Sequence, residues 1–434
     1  MTSPGQLPHL AVVFDFGSAS PMSILAAARG LAEIIFVCDR SLPHVRQLYD
    51  DIRPLAAELD STGLTDEQIL THPACADLAG IVTFSESQLN RTAALAARRG
   101  LAFHTPHTAA AMTDKYLQRR TLAEAGVQHT ACHLVSDLAG LGPALGAVGF
   151  PAVLKPRTGA ASARTCTIHN LGEAHARWQA FTDPAAGAAA DQFVVEPLLP
   201  GDSSAAGQGW ADYVSVESMT SHGDIRHVEV TGKFPLAPPL RETGYVVPST
   251  LTPPVRAEVL TLTTAALTAL GVRHGITHTE IKLTPTGPQI IEVNGRLGGY
   301  VADLVKHARG FDLVRAALTV ALGRQESPPT APYRRHAFQY FLIPPMEAVA
   351  LRRFDGTDEL TRKHGIRLVE VLASPGTALD WRQGTLTHIG IVHGSAPDHR
   401  TVQDLVDLVN QTLHIEFEAA PDGPETTPAD YGKC

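Results

Sequence analysis

The chain is short of lysine. Only seven of its 35 basic residues are lysines (Lys115, Lys155, Lys233, Lys282, Lys306, Lys363 and Lys433) and the other 28 are arginines. Where arginine is the default surface cation, each lysine is worth asking about, because a compact ammonium and a planar fork are not interchangeable. Basic residues are outnumbered by 44 acidic ones, for a formal charge of −9. That balance argues against nucleic acid or an anionic membrane surface as the main partner. The five cysteines are scattered and show no CxxC spacing. A disulfide framework and a cysteine zinc site are therefore not expected, and a reducing cytoplasm is. No apolar run approaches the roughly 18–20 residues of a membrane span. No basic segment precedes the first apolar run, so a secretory signal is not expected. No solenoid period recurs. GSAS after the first apolar run is not GxGxxG, and no GKS or GKT loop is present.

What is there fills two to four domains, with 434 residues and 44% hydrophobic content for a buried core. Over the first hundred residues, Leu10–Phe16, Glu33–Cys38, Gly80–Phe84 and Leu101–Thr105 read as buried strands. Pro21–Arg29, His44–Leu59 and Gln88–Arg99 between them suit helices. This alternation predicts a parallel sheet with crossover helices. Asp114 or Thr113 caps a helix over Tyr116–Ala125. The strand Phe150–Lys155 then opens into a loop of small and hydroxyl residues, RTGAASART, and Pro184–Ala190 is a flexible stretch. From Phe193 onward strands dominate, interrupted by a helix near Pro254–Leu270, and helices resume at Val301–Arg309 and Asp312–Leu322. ESPPTAP at 326–332 marks a boundary, and the tail from 421 is expected to be disordered.

The densest chemistry lies in THTEIKLTPTGPQIIEVNGRLGG, residues 277–299. It reads as a hairpin around a Thr-Pro-Thr-Gly-Pro turn. Period-two alternation puts His278, Glu280 and Lys282 on one face of the first strand, and Glu292 with Asn294 on one face of the second. If Glu280 faces Glu292, two carboxylates and an amide form an incomplete hard-oxygen cage, which suits Mg²⁺. Arg296 follows on a glycine-flanked turn where a guanidinium can grip phosphate or carboxylate. Upstream, Lys155 ends an apolar strand just before Gly159, Ala160, Ala161 and Ser162, an arrangement fit for phosphate oxygens. Glu196-Pro197 ends another apolar strand, leaving backbone groups unpaired.

Taken in order, Asp114-Lys115, Leu-Lys155-Pro, the small-residue loop, Val-Glu196-Pro, Ser-Val-Glu217, Thr-Gly-Lys233, His278-Thr-Glu280 and Glu292-Val-Asn294-Gly-Arg296 resemble the ATP-grasp superfamily. Within it the chain is similar to carboxylate–amine ligases such as the L-amino acid ligases. The resemblance is strong from Thr113 to Gly323 and weaker over the last hundred residues. It implies an α/β fold of grasp type: a Rossmann-like pre-grasp domain over 1–110, grasp lobes over 111–192 and 193–325, and a small α+β domain over 333–420.

It further implies that Lys115 and Lys155 contact ATP and that Gly159, Ala160, Ala161 and Ser162 form a flap over its phosphates. Glu196 and Leu198 become the adenine hinge, and Lys233 reaches the γ-phosphate. Glu280, Glu292 and Asn294 hold Mg²⁺, or Mn²⁺ in its place. Arg296 binds the acyl phosphate or substrate carboxylate. Substrate contacts fall on Glu242 and Tyr245 of the loop 242–249 and on Gly298 and Gly299. Glu217, His278 and the departing phosphate are the candidates for deprotonating the amine. The ribose acid has no clear position, with Asp202 and Asp212 the candidates, because GDSSAAGQGWADY departs from the usual hinge.

The implied reaction activates a carboxylate, an amino acid, as an acyl phosphate and couples it to an amine, with ADP and phosphate released. The alternatives are a biotin-carboxylase-like or purine-pathway type, disfavoured by the absence of a Met-Lys-Met segment, and a nucleotide-binding protein without catalysis. The partners implied are small molecules. A homodimer is compatible with the sequence, and the Ala/Arg-rich composition fits a specialised-metabolite enzyme of a GC-rich bacterium.

Overall fold

The computed structural model describes residues 7–183 and 192–419; the stretch 184–190 and the tail from 421 lie outside the described residues. Strands β1 (His9–Phe14), β2 (Glu33–Cys38), β3 (Ala57–Asp60) and β4 (Leu78–Val82) form a parallel sheet in the order β3-β2-β1-β4. β1 and β2 are near-continuous apolar runs, buried almost throughout as a sheet covered on both faces requires.

Two expectations fail in this region. The helix expected over 44–59 stops at Ile52, and Ala57–Asp60 becomes the edge strand β3. Pro54 is the reason: it disfavours helix at Arg53 and lacks the N–H a continuing helix needs. Leu101–Thr105 is not a strand. Thr105 instead caps the helix Pro106–Thr113, and the His104 ring lies 2.9 Å from the Gly295 carbonyl, which draws the segment away from the sheet.

Strands β5 (His133–Val135), β6 (Ala152–Pro156), β7 (Cys166–Ile168) and β8 (Phe193–Pro197) make an antiparallel sheet in the order β5-β8-β6-β7. With helices Leu138–Val148 and Leu171–Thr182 they enclose a core of their own, including Leu141, Leu145, Leu154, Phe181 and Phe193.

The remaining strands are β9 (Tyr213–Ser221), β10 (Asp224–Lys233), β11 (Gly244–Val247), β12 (Gly275–Thr284), β13 (Gly287–Asn294), β14 (His336–Phe341), β15 (Ala348–Asp355), β16 (Ile366–Val371), β17 (Gly390–Ala396) and β18 (His414–Ala419). Eight of them form one sheet ordered β13-β12-β9-β10-β11-β14-β17-β16, and β15 pairs with β18. β11 lies inside the stretch 242–249 that reads as a turn-rich loop. Its Gly-Tyr-Val-Val residues are all buried and bridge β10 to β14. Of the strands in the last hundred residues, β14, β16 and β17 therefore extend the large sheet.

The helix Leu313–Ala321 packs on β4 of the first sheet and on β9 and β12 of the large one. Leu10, Phe36, Leu318, Phe341 and Ile391 consequently share a single core. Among the described residues no helix is long and apolar enough to cross a membrane, and Cys38, Cys75, Cys132 and Cys166 are free thiols. Leu318, fully buried where the two sheets meet, is the sharpest test of this junction. Leu318→Ala should lower stability by about 2–5 kcal/mol, read as a shifted urea midpoint with an unchanged slope.

Candidate active site

The hairpin β12–β13 positions the central acids. Its register sets Glu280 opposite Glu292 and His278 opposite Asn294, with a bulge just beyond, between Glu280 and Ile281. On the other side of β12, Glu217 of β9 pairs with His278. The His278 ring is clasped at both nitrogens: Nδ1 bonds to Glu217 Oε1, and Nε2 lies 3.4 Å from Glu280 Oε1. Burial pushes the imidazole pKa down, but the Glu217 carboxylate, aided by Glu280, outweighs it and holds it up at about 9. Both ring nitrogens of His278 are thus engaged by carboxylates. Burial raises the Glu280 carboxyl, yet His278, then Lys233 and Arg296, bring it below the usual carboxylate range. The second oxygen of Glu217 accepts the Gly298 N–H at 3.2 Å. A side chain at Gly298 would place its Cβ 2.4 Å from His278 Nδ1 and 2.8 Å from Glu217 Oε1; only glycine lets the turn approach this closely.

Around this centre every expected cation has an acidic partner. Asp114 caps the helix Lys115–Glu124 and so aims Lys115, whose Nζ lies 3.1 Å from Glu292 and donates to the Gly159 carbonyl at 2.9 Å. Lys155 Nζ is 2.8 Å from Glu196. The same carboxylate takes two hydrogen bonds from Arg119, at 2.9 and 3.1 Å, and Arg119 also donates to the Ile290 and Ile291 carbonyls of β13. Burial would raise the Glu196 carboxyl, but Arg119 and Lys155 overcome it and hold it at about 2. Lys233, wholly buried, sits 2.9 Å from Glu242 and 3.8 Å over the Tyr245 ring, and the Tyr245 hydroxyl donates to the other Glu242 oxygen at 2.6 Å. Arg296 Nε lies 2.9 Å from Glu86, whose carboxyl is raised by burial against the pull of Arg296. Asp15 fixes the turn carrying Glu86 by accepting from Ser87 at 2.5 Å and Gln88 at 3.3 Å.

The hairpin acids thus lie beside Lys115, which reaches the loop at the Gly159 carbonyl, and in the field of Lys233 and Arg296, with Lys155 held on Glu196 nearby, while other expected residues have partners of their own. Asp202 caps its own turn through Ser204, at 2.9 Å to the amide, and Asp212 pairs with Lys282 at 2.6 Å. The Leu198 amide donates to the Pro151 carbonyl at 3.0 Å, and both Glu196 oxygens accept from cations. Reading by motif missed Arg119 and Glu86. Arg119 had a signal: it stands four residues after Lys115 on a capped helix. Glu86 had none, because its partner is 210 residues away in the chain. Glu280, Glu292 and Asn294 offer only hard oxygen donors on facing strands, which fits a magnesium-like cation. Among the described residues no three His, Cys, Asp or Glu side chains form a complete metal cage, so water and phosphate oxygens would fill the shell.

Residues 148–303 match the family model for the ATP-grasp domain. Carnosine synthase 1 of Gallus gallus is 31% identical over 204 residues, spanning 44% of this chain and 20% of that protein. Alanine–anticapsin ligase of Bacillus subtilis is 28% identical over 218 residues, 48% of this chain and 46% of its own. The chain therefore spans less than half of either relative. In three dimensions it is similar to L-amino acid ligase from Bacillus licheniformis, with a TM-score of 0.73 at 19% identity, covering 95% of this chain and 99% of that one; that likeness shows the fold.

The Arg119–Glu196–Lys155 cluster carries a pH signature. Because the folded carboxyl titrates near 2, below its ordinary 4.5, its stabilisation is complete above about pH 5 and is lost as pH falls toward 2. Glu196→Gln should flatten this acid limb in urea midpoints measured between about pH 6 and pH 3, and should lower stability at neutral pH by leaving two cations unpaired.

Proposed function

Taking residues 148–303 as an ATP-grasp domain, we propose that the chain is an ATP-dependent, ADP-forming ligase that activates a carboxylate, an amino acid, as an acyl phosphate and joins it to the amine of an amino acid or peptide. The observation that carries this reading is the Glu280–Glu292 pair, tied through Lys115 to the loop at Gly159 and flanked by Lys155, Lys233 and Arg296. The alanine–anticapsin ligase and carnosine synthase relatives support it by their names.

A carboxylate is a poor electrophile in water, so the barrier falls mainly by positioning reactants and neutralising phosphate charge. Lys155 and Lys115 serve the nucleotide, Lys233 the transferred phosphoryl group, and Arg296, steadied by Glu86, the carboxylate being activated. Held by Glu280, Glu292 and Asn294, Mg²⁺ would supply charge neutralisation at phosphate oxygens. His278, charged and clasped, keeps Glu217 and Glu280 in place. Tyr245 and Glu242 form part of the wall near Lys233 and bear on which acid and amine are accepted. The flap, residues 159–162, keeps water from the acyl phosphate.

Purified protein incubated with ATP, Mg²⁺ and a panel of amino acids should release ADP and phosphate fully only when acid and amine are both present, with the amide found by mass spectrometry. AMP and pyrophosphate as products would overturn the reading. Glu292→Gln should reduce turnover by on the order of a hundredfold with circular dichroism unchanged.

A further inference from the structure

The loop over the phosphates is held by a strap from the C-terminal part of the chain. Ala161, Ser162 and Arg164 adopt left-handed backbone, with φ of 57°, 54° and 49°, a conformation L-residues keep only when neighbours enforce it. The neighbour here is the strap Trp381–Thr387, which leads into β17. The Arg164 N–H donates to the Arg382 carbonyl at 2.8 Å, and the Thr385 N–H donates to the Ala161 carbonyl at 2.8 Å. Trp381 packs on the separate core of the β5–β8 lobe beside Phe181. Gly384, at φ 67°, brings the two backbones together: a Cβ there would fall 2.1 Å from the Ala161 carbonyl oxygen and 2.6 Å from the Ala163 nitrogen.

The same strap reaches the other half of the site. Thr385 Oγ1 accepts the Glu242 N–H at 3.1 Å, and Glu242 holds Lys233 and Tyr245. The Thr385 carbonyl lies 2.6 Å from His388 Nδ1, and His388 Nε2 lies 3.1 Å from the Tyr300 hydroxyl, at the turn that follows Arg296. Thr385 is buried, and its three polar groups face the flap, the Glu242 loop and, through His388, the Tyr300 turn.

We propose that Thr385 is a positioning residue that ties closure of the phosphate flap to the integrity of the acid–amine pocket, with Gly384 as the close-approach point that permits it. The catalytic half of this proposal rests on the ligase reading; the flap half does not. Its chemical value is coupling. Were the flap to open over a formed acyl phosphate, water would add at the carbonyl carbon and the C–O bond to phosphate would break, giving back the free acid and inorganic phosphate with ATP spent.

The test uses the full chain. In hydrogen–deuterium exchange without ligand, Gly384→Ala should speed exchange in peptides covering 157–166 and 380–388, and in turnover it should raise phosphate released per amide formed. Thr385→Val keeps the N–H to the flap and removes only the hydroxyl. It should leave flap exchange as in the wild type and raise KM for acid and amine by about three- to tenfold, the worth of one neutral hydrogen bond. The KM for ATP should stay within about twofold, and Thr385→Ser should restore the lost affinity. Wild-type exchange in a folded Gly384→Ala, or a Thr385→Val that moves all three KM values together or none, would overturn the proposal. If Gly384→Ala does not fold, the Val and Ser pair decides by the KM split. If the wild type makes no amide, the ligase reading has failed, and the exchange measurement alone decides whether the strap holds the flap.

Discussion

Charge withdrawn from water must find opposite charge, and the interior of this protein is organised by that requirement. Taking even one unpaired ion out of solvent costs more than most single contacts return. Lys155 and Arg119 therefore share Glu196, Lys233 lies against Glu242, Arg296 against Glu86, Lys115 against Glu292, and His278 between Glu217 and Glu280. A site built this way is assembled before any substrate arrives. Each cation is held at a fixed place by an acid that a phosphate or carboxylate ligand must then outbid or share. Preorganised charge of this kind needs little rearrangement when new charge develops beside it.

The surrounding fold explains how so many ions can be brought together. One eight-stranded sheet runs from the acid hairpin through β9 and β10 to the strands of the last hundred residues, and the helix Leu313–Ala321 joins it to the first parallel sheet. Glu86, contributed by the first hundred residues, thereby meets Arg296 beyond β13, and Thr385 from the C-terminal strap meets the Glu242 loop. Only a rigid, shared core holds contributions from such distant parts of the chain to within hydrogen-bond distance.

What the sequence revealed of this, and what it hid, follows from the range of the interactions. The hairpin was legible because its determinants are local: alternation along two strands and a Pro/Gly turn between them are enough to bring Glu280 opposite Glu292. The lysines stood out because arginine does the ordinary surface work here. Arg119 is inconspicuous for the same reason, as one arginine among many, and only its place one turn after Lys115 on a capped helix marks it, although it shares Glu196 with Lys155. Glu86 carries no local pattern at all, since its partner is far away in the chain. β3 and β11 were misread because Pro and Gly signals mark where regular structure pauses, but not how short the next strand is. The ribose acid stayed indistinct where the chain departs from the familiar spacing, and of its candidates Asp202 is engaged in its own turn by Ser204 and Asp212 pairs with Lys282.

The β5–β8 lobe has a core of its own, apart from the two that the rest of the molecule builds. The lobe can therefore open as a unit of its own. It can loosen and re-form while the rest stays intact, and the Arg119–Glu196 pair, anchored to the β13 carbonyls, and the Trp381–Thr387 strap are pins on which it hangs. A nucleotide gripped by the lobe and the rest together would lend its binding energy chiefly to the lobe. Occupancy of the site would then be felt less as a rise in overall stability than as the disappearance of the first step of unfolding.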